Sequence, residues 1–257
     1  DSKESPLTKK LESEGAIIHY GQCAENISDG IDCVVYTAAI NKANPELMEA
    51  VARKIPMLTR AELLGQLMKN YKTPIAVSGT HGKTTTTSMI SHILLEGDLD
   101  PTISVGGILK AIGGNIRVGK SETFITEACE YTNSFLHFYP KISVILNIEE
   151  DHLDFFKDLD DVEHSFRAFA DRVPESGIIV ANADDANTMH TLEGEERPVL
   201  TFGLEQGDVR AANLAWNRGL PSFDVVYRGD VFTHVALRVP GEHNVKNALA
   251  AAAAAIA

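Results

Sequence analysis

The sequence has few of the residues that mark disulfide-rich or membrane-spanning proteins. Its 257 residues include three cysteines, Cys23, Cys33 and Cys129, and their odd number and wide spacing match neither a disulfide framework nor a zinc motif. No apolar run approaches the ~18 residues that a transmembrane helix needs. We therefore predict small buried thiols in a cytoplasmic protein that has no membrane partner.

Basic residues are also scarce. The chain has 23 Lys and Arg against 36 Asp and Glu, which leaves a net charge of -13. Such a charge repels phosphate backbones, so we predict no nucleic-acid partner. A polyanionic nucleotide could bind only where local cations or backbone N–H groups outweigh the global charge. Oligomeric state is not indicated by the sequence.

Apolar runs and helical patterns alternate along most of the chain, which predicts an α/β fold with a mainly parallel sheet. A short polar break at Tyr71–Pro74 separates residues 1–72 from residues 73–257, and we predict a domain boundary there. In the first part, strands are expected at Ala16–Tyr20 and Cys33–Thr37.

The pattern changes after Pro198. Runs at residues 209–216, 222–227 and 232–239 are separated by turns that contain glycine. Such spacing is typical of antiparallel hairpins. We therefore expect a small antiparallel β layer in addition to the parallel sheet.

The most informative motif is Gly79-Thr80-His81-Gly82-Lys83-Thr84, between a buried apolar strand and a helix. Glycines allow successive N–H groups to face phosphate oxygens, and the helix adds the positive end of its dipole. Lys83 would reach the β- and γ-phosphates, and the Thr84 hydroxyl could ligate Mg²⁺. The common phosphate loop has four residues between its first glycine and Gly-Lys, whereas this loop has two. A Gly-rich turn with an exposed lysine is the alternative interpretation.

The run Ala76–Thr87 resembles the ATP loop of the Mur ligase family. Three further stretches agree with that family in order and spacing: Glu127–Glu130, Asn147–Asp154 and Gly241–Ala248. The resemblance covers essentially the whole chain. It implies an incomplete Rossmann-like N-terminal domain for a UDP-sugar, followed by a central P-loop ATPase domain.

The ends of the chain agree with this interpretation. The sequence begins at Asp1 and stops at Ala257 inside an alanine-rich helix with no cap signal. We expect a piece of a longer enzyme that lacks the family's C-terminal amino-acid domain, and we expect the piece alone to be inactive.

The resemblance also implies an activity. His81 is typical of members that ligate L-alanine to the lactyl carboxylate of UDP-N-acetylmuramate, with ATP and through an acyl phosphate, in peptidoglycan precursor synthesis. Two alternatives remain open. One is a recycling ligase that adds a preformed peptide to the same sugar acid, and the other is an ATP-binding module without catalysis.

The predicted site combines the loop chemistry with the family pattern. Lys83 and His81 are the catalytic candidates, although His81 could simply shape the loop. Glu130, after an apolar strand, and His152 are implied as magnesium ligands with Thr84; Glu127 rivals Glu130, and a hydrogen-bonding role is the alternative for His152. The complete set of predicted ATP contacts is Gly79, Thr80, Gly82, Lys83, Thr84, Thr85, His243, Asn244 and Asn247.

Three of the polar residues have simpler interpretations. Asn247 and Asn244 offer the donor and acceptor groups that match an adenine edge, but Asn244 also suits a helix N-cap. Asp151 and Asp154 are expected to be solvated or N-capping carboxylates. His243 is expected at the wall of the adenine pocket.

Overall fold

The computed structural model describes residues 3–37 and 39–257. The chain divides into two compact units between Leu63 and Leu64. None of the helices within the described residues is long and apolar enough to cross a membrane. The domain boundary at residue 72 stays a prediction.

The first unit contains a short parallel pair of strands. Its elements are α1 (Pro6–Ser13), β1 (Val34–Tyr36), α2 (Pro45–Ala52) and β2 (Met57–Thr59), and α3 (Arg60–Met68) spans the division. Ser5 and Asn44 cap α1 and α2 through their side chains, and a proline follows each cap. Both helices therefore begin where local capping chemistry favours a start. β1 and β2 pair in parallel with α2 between them in sequence, which is a fragment of a Rossmann-like unit.

The strand expected at Ala16–Tyr20 is wrong. That run has no regular structure, and Ile17 is 84% exposed. Among the described residues of this unit, the sheet contains two strands, β1 and β2, and neither pairs with residues 16–20. An apolar run without a hydrogen-bonding partner strand does not form a strand.

The cysteines also differ from expectation. Cys23, Cys33 and Cys129 are free but exposed, so the prediction of buried thiols is wrong. All three lie outside the regular strands and α-helices, in connecting segments, which run over the surface of proteins.

The second unit is built on one large sheet. Its strands are β3 (Thr73–Ser78), β4 (Thr102–Leu109), β5 (Gly114–Arg117), β6 (Thr123–Glu127), β7 (Ile142–Ile145), β8 (Ile178–Asn182), β9 (Val199–Gly203), β10 (Val209–Asn217), β11 (Leu220–Tyr227) and β12 (Asp230–Ala236). Its helices are α4 (Lys83–Glu96), α5 (Leu159–Ala170), α6 (Ala186–Thr191) and α7 (Glu242–Ile256), and it also receives the end of α3. The ten strands lie in the order β12-β11-β10-β9-β8-β7-β3-β6-β4-β5.

The centre of this sheet is parallel, as predicted. β3 lies between β7 and β6 and pairs in parallel with both. The chain leaves β3 through α4 and returns at β4, beyond β6, while later strands add on the β7 side. This change of direction creates a crevice at the carboxyl end of β3, where open α/β sheets bind their ligands.

The predicted antiparallel strands are present, but they extend the main sheet. β10 pairs in parallel with β9 and antiparallel with β11, which continues into β12. At the two hairpin turns, Arg218 and Gly219, and then Arg228 and Gly229, have positive φ angles. Two consecutive residues of this kind form the turn that matches strand twist.

Helix α7 covers the core beside α4. Its residues Ala250, Ala251, Ala253 and Ala254 are buried in the main apolar cluster. Small side chains allow this close packing. The packing places the beginning of α7 next to the crevice, where Gly82 and Asn247 approach each other.

Candidate functional site

The loop after β3 has a backbone that only glycine accommodates. Gly79 has φ +134° and Gly82 has φ +90°. A Cβ on Gly79 would lie 2.8 Å from the Leu146 Cβ, and one on Gly82 would lie 2.6 Å from the Asn247 Oδ1. Two neighbouring segments therefore press on the loop, and both glycines are needed for the chain to pass between them.

Asn147, which follows β7, holds this loop. Its side chain accepts the His81 N–H (2.8 Å) and donates to the His81 carbonyl (3.0 Å), and its backbone carbonyl accepts the Thr80 N–H (3.0 Å). Thr80 is buried, and its hydroxyl accepts the Glu149 N–H at 2.9 Å. The N–H groups in the first turn of α4 have no intrahelical acceptor and are therefore available to an anion.

Lys83 forms a buried ion pair with Glu130. Its Nζ lies 2.9 Å and 3.1 Å from the two carboxylate oxygens and also donates to the carbonyls of Gly79 (2.5 Å) and Thr80 (3.1 Å). The Glu130 side chain is 2% exposed and that of Lys83 is 17% exposed. The predicted phosphate-binding cation and the predicted metal ligand are thus each other's counter-ion.

Glu127, the predicted rival, has different partners. Its carboxylate accepts the Thr84 hydroxyl at 2.9 Å and the N–H of Gly106. The two carboxylates near the end of β6 therefore divide their contacts, Glu127 with Thr84 and Glu130 with Lys83.

Glu130 also belongs to a cluster with Asp151 and His152, called the acidic cluster below. One ligand atom from each of these three side chains lies within 4.8 Å of the other two. The His152 Nε2 is 3.8 Å from a Glu130 oxygen, and the His152 Nδ1 is 3.9 Å from an Asp151 oxygen. The sequence predicts a solvated or N-capping carboxylate at Asp151, whereas the folded chain brings this side chain into the cluster. Its position directly before a candidate ligand was the available signal.

A cleft of about 160 Å³ lies between the loop and the beginning of α7. Predicted residues His81, His243 and Asn247 line it, with Gly82. The other lining residues were not predicted from the sequence; they are Leu146, Asn147, Asn182, Phe202 and Lys246. These side chains combine apolar surface with amide groups, which suits a flat heterocycle.

Asn244 does not line this cleft. Gly241 is the N-cap of α7, and the Asn244 side chain donates to the Pro240 carbonyl (2.6 Å) and accepts from the Asn247 amide (3.2 Å). The capping alternative for Asn244 is therefore wrong, because Gly241, with φ +100°, holds that position. Asn244 instead positions Asn247.

His81 and Thr85 lie at the edge of the site. The His81 side chain is exposed, with its Nε2 3.9 Å from a Glu149 oxygen. Thr85 is half-buried in the first turn of α4. The roles assigned to both residues stay predictions.

Two family models match the chain. The Mur ligase middle domain matches residues 77–255, and the catalytic domain of the Mur ligase family matches residues 1–72. The first match includes the loop, the acidic cluster and the beginning of α7.

Curated relatives are similar over nearly the whole chain. UDP-N-acetylmuramate–L-alanine ligase of Agathobacter rectalis is 55% identical over 255 residues, which are 98% of this chain and 56% of the relative. The Clostridium novyi protein of that name is 52% identical over 256 residues, which are 100% of this chain and 56% of the relative. The chain thus spans about half the length of these relatives.

Solved structures share the fold. UDP-N-acetylmuramate–alanine ligase from Thermotoga maritima has a TM-score of 0.81 at 30% identity, covering 97% of this chain and 56% of its own. UDP-N-acetylmuramate:L-alanyl-γ-D-glutamyl-meso-diaminopimelate ligase from Neisseria meningitides has a TM-score of 0.88 at 30% identity, covering 100% and 84%. With one family model matching most of its residues and this fold in common, the chain belongs to the Mur ligase family.

Proposed function

We propose that this chain is the ATP-binding part of an enzyme that ligates L-alanine to UDP-N-acetylmuramate for peptidoglycan precursor synthesis. The observation that carries the proposal is the Lys83–Glu130 pair, which joins a glycine loop to a cluster of metal-ligand side chains. The names of relatives at 52–55% identity supply the two substrates.

ATP is the proposed nucleotide. Lys83 and the first N–H groups of α4 would hold its phosphates, between Gly79 and Gly82. Asn247 and His243 would contact the adenine in the cleft. Thr80 supports the loop from inside, because its hydroxyl is within hydrogen-bonding distance of the Glu149 backbone. Lys83 and the first N–H groups of α4 supply the local positive charge that a chain with a net charge of -13 needs in order to bind a polyanion.

Magnesium fits the acidic cluster. Glu130 and Asp151 offer the oxygen donors that Mg²⁺ prefers, and water can complete the shell. His152 offers a nitrogen, which is a softer donor than Mg²⁺ usually takes. Thr84, which follows Lys83 in the chain, and Glu127, which accepts the Thr84 hydroxyl, form a second group of oxygen donors. When bound, the metal would neutralise charge between the carboxylate substrate and the triphosphate.

The protein groups suit phosphoryl transfer between two anions. In the proposed reaction a carboxylate oxygen attacks the γ-phosphorus, ADP leaves, and the amine of L-alanine then displaces phosphate from the acyl phosphate. Lys83 would stabilise the negative charge on the transferred group, and the first N–H groups of α4 would orient it. Removing one such group commonly costs about 10²–10³ in rate.

Calorimetric titration with Mg-ATP tests the nucleotide part directly. We expect the native chain to bind and Lys83→Ala to lose binding. Lys72→Ala is the matched control, because it also removes a lysine–glutamate pair, with Glu122 at 2.7 Å, but lies just before β3 rather than after it. Native-like binding by Lys83→Ala would refute the phosphate site.

A recycling ligase is the second candidate. The structural match to the Neisseria enzyme, whose name includes a preformed peptide, favours it. Ligation assays on a protein of the relatives' full length, with L-alanine or the tripeptide as acceptor, separate the two. We expect L-alanine to be used; turnover of the tripeptide alone would replace our proposal, and turnover of neither would favour a binding module.

We further propose a cytoplasmic location. The three cysteines are free thiols, which persist in a reducing compartment. The proposed substrates, ATP and a UDP-sugar, agree with that location. Fractionation of cells that produce the native protein tests it.

A further inference from the structure

His152 has an unusual backbone. Its φ is +53°, a region that costs free energy for residues other than glycine. Its N–H donates to the Asp151 carboxylate at 2.7 Å, and its carbonyl accepts the N–H groups of Phe155 (2.8 Å) and Phe156 (3.0 Å). Phe156 is buried, so a tight turn anchored in the core aims the imidazole at the acidic cluster.

The ring of Tyr131 packs on this imidazole. The two ring centroids are 4.5 Å apart with an angle of 35° between the planes. The Tyr131 hydroxyl donates to the Asp154 Oδ2 at 2.8 Å, and Phe155 contacts the tyrosine ring by its edge.

The segment that carries Tyr131 is anchored in the core. It begins directly after Glu130 and includes Phe135, which stacks on Phe169 at 4.7 Å and meets Phe166 at 5.3 Å. Glu130 and Tyr131 are adjacent in the chain, so one segment presents both the carboxylate and the aromatic ring to His152.

We propose that Tyr131 is a positioning residue that holds the His152 imidazole against Glu130 and Asp151, and that Asp154 fixes Tyr131. The inference rests on the proposed metal site and adds the element that orients its nitrogen ligand. Tyr131 itself does not bind the metal. Residues that orient a metal ligand commonly change metal affinity about 10–100-fold when they are removed.

Mn²⁺ is a suitable probe, because its paramagnetic resonance reports both the dissociation constant and couplings to a ligand nitrogen. We would measure both in the native chain, His152→Ala and Tyr131→Leu. Tyr139→Leu is the matched control: Tyr139 is 36% exposed and Tyr131 is 37% exposed, but Tyr139 contacts Lys69 and Arg172.

The expected pattern is specific. The native chain shows nitrogen coupling, which disappears in His152→Ala. Tyr131→Leu remains folded by circular dichroism, binds Mn²⁺ at least about tenfold more weakly and loses most of the coupling. Tyr131→Phe keeps the ring but loses the bond to Asp154, so it should lose less affinity than Tyr131→Leu. Tyr139→Leu remains native-like.

Two results would overturn the inference, and they are distinguishable. Unchanged affinity and coupling in Tyr131→Leu would refute the positioning role and leave the metal site intact. A native chain without Mn²⁺ binding would refute the metal site itself, and the role of Tyr131 with it. A loss of affinity in Tyr131→Leu that left the nitrogen coupling intact would also refute positioning, because the imidazole would still be in place.

Discussion

At the scale of single residues, the candidate site is centred on an ion pair. In the structure, Glu130 balances Lys83 within a largely buried pair. Breaking a buried pair on one side leaves an uncompensated charge, which is costly. A phosphate for Lys83 and a divalent cation for Glu130 would release both partners at once. Nucleotide and metal are therefore expected to help each other bind.

Glu130→Gln tests this coupling. The substitution removes the charge that competes for Lys83, so ATP without metal should bind the variant more tightly than the native chain. Addition of Mg²⁺ should then increase ATP affinity much less than it does in the native chain. Calorimetry with ATP in chelator and in Mg²⁺ measures both effects.

Glu122→Gln is the control for that experiment, because Glu122 pairs with Lys72 at the surface. Equal metal dependence in Glu130→Gln and the native chain would show that the two ligands bind independently.

The predictions for single residues depended on their neighbours in the chain. Gly79, Gly82 and Lys83 were predicted from one contiguous motif, and the loop has the geometry that this motif requires. The pairing of Lys83 with Glu130 joins residues 47 positions apart. Nothing local selects Glu130 over Glu127 for that contact, so it could not be predicted.

At the scale of elements, the loop has a conformation that glycine adopts without strain and other residues do not. Gly79→Ala would add a Cβ against Leu146 at a φ of +134°. We expect a loss of about 2–6 kcal/mol in the free energy of unfolding, from strain plus overpacking. Gly113→Ala is the matched control: its φ is +64°, with nothing within 4 Å of the added Cβ. It should cost about 1–2 kcal/mol. Urea denaturation compares them, and equal losses would contradict the close approach to Leu146.

Helices α5 and α6 are joined by a contact that depends on pH. The His190 Nδ1 lies 2.9 Å from the Glu163 carboxylate, and this hydrogen bond raises the pKa of His190 above its ordinary value. A raised pKa in the folded state means that the stabilisation is complete below the unfolded value, about 6.5. It is lost as the pH rises through the folded value.

His190→Gln should therefore lower stability more in acid than in base. Urea midpoints at about pH 5.5 and about pH 9 test this, and the difference from the native chain should shrink at the higher pH. Glu163→Gln should likewise lower the urea midpoint, relative to the native chain, more at about pH 5.5 than at about pH 9. A difference that is constant with pH would show that the contact does not involve the charged imidazole.

A run of apolar residues was not by itself enough to predict a strand: the run at Ala16–Tyr20 has no partner strand and forms none, whereas β4 forms without such a run. β3 and β6 lie within apolar runs and are the strands expected before the glycine loop and before Glu130. β4 contains a Gly-Gly pair, which lowers intrinsic strand propensity, yet it pairs with β6 and β5. Its place in the sheet comes from these neighbours and not from its own composition.

At the scale of the whole molecule, the net negative charge repels polyanions, so a nucleotide is expected to bind only at the loop after β3. Mg-ATP should stabilise the unit Leu64–Ala257, which contains the loop. At one hundred times its dissociation constant, a ligand adds about 2.7 kcal/mol to the unfolding free energy of the state that binds it. Thermal unfolding with and without Mg-ATP measures the shift. Single-stranded DNA should produce none, and a comparable shift with DNA would contradict the exclusion of nucleic acids.

The sequence by itself determined the local features of this protein. Three kinds of feature depend on residues close together in the chain. They are the capping residues of α1 and α2, the glycines of the loop after β3 and of the hairpin turns, and the alternation of strands with helices. Local sterics and backbone hydrogen bonding act over such short distances. The family pattern is likewise written in contiguous motifs.

Only the tertiary structure decided which groups meet. Glu130, Asp151 and His152 come together because β6 and β7 both pair with β3, so their carboxyl ends share one edge of the sheet. That strand order results from packing between segments far apart in sequence, and it also brings the beginning of α7 to the loop. The division of roles between Glu127 and Glu130 follows from this proximity, because a carboxylate's partner is set by distance and burial, which exist only in the folded chain.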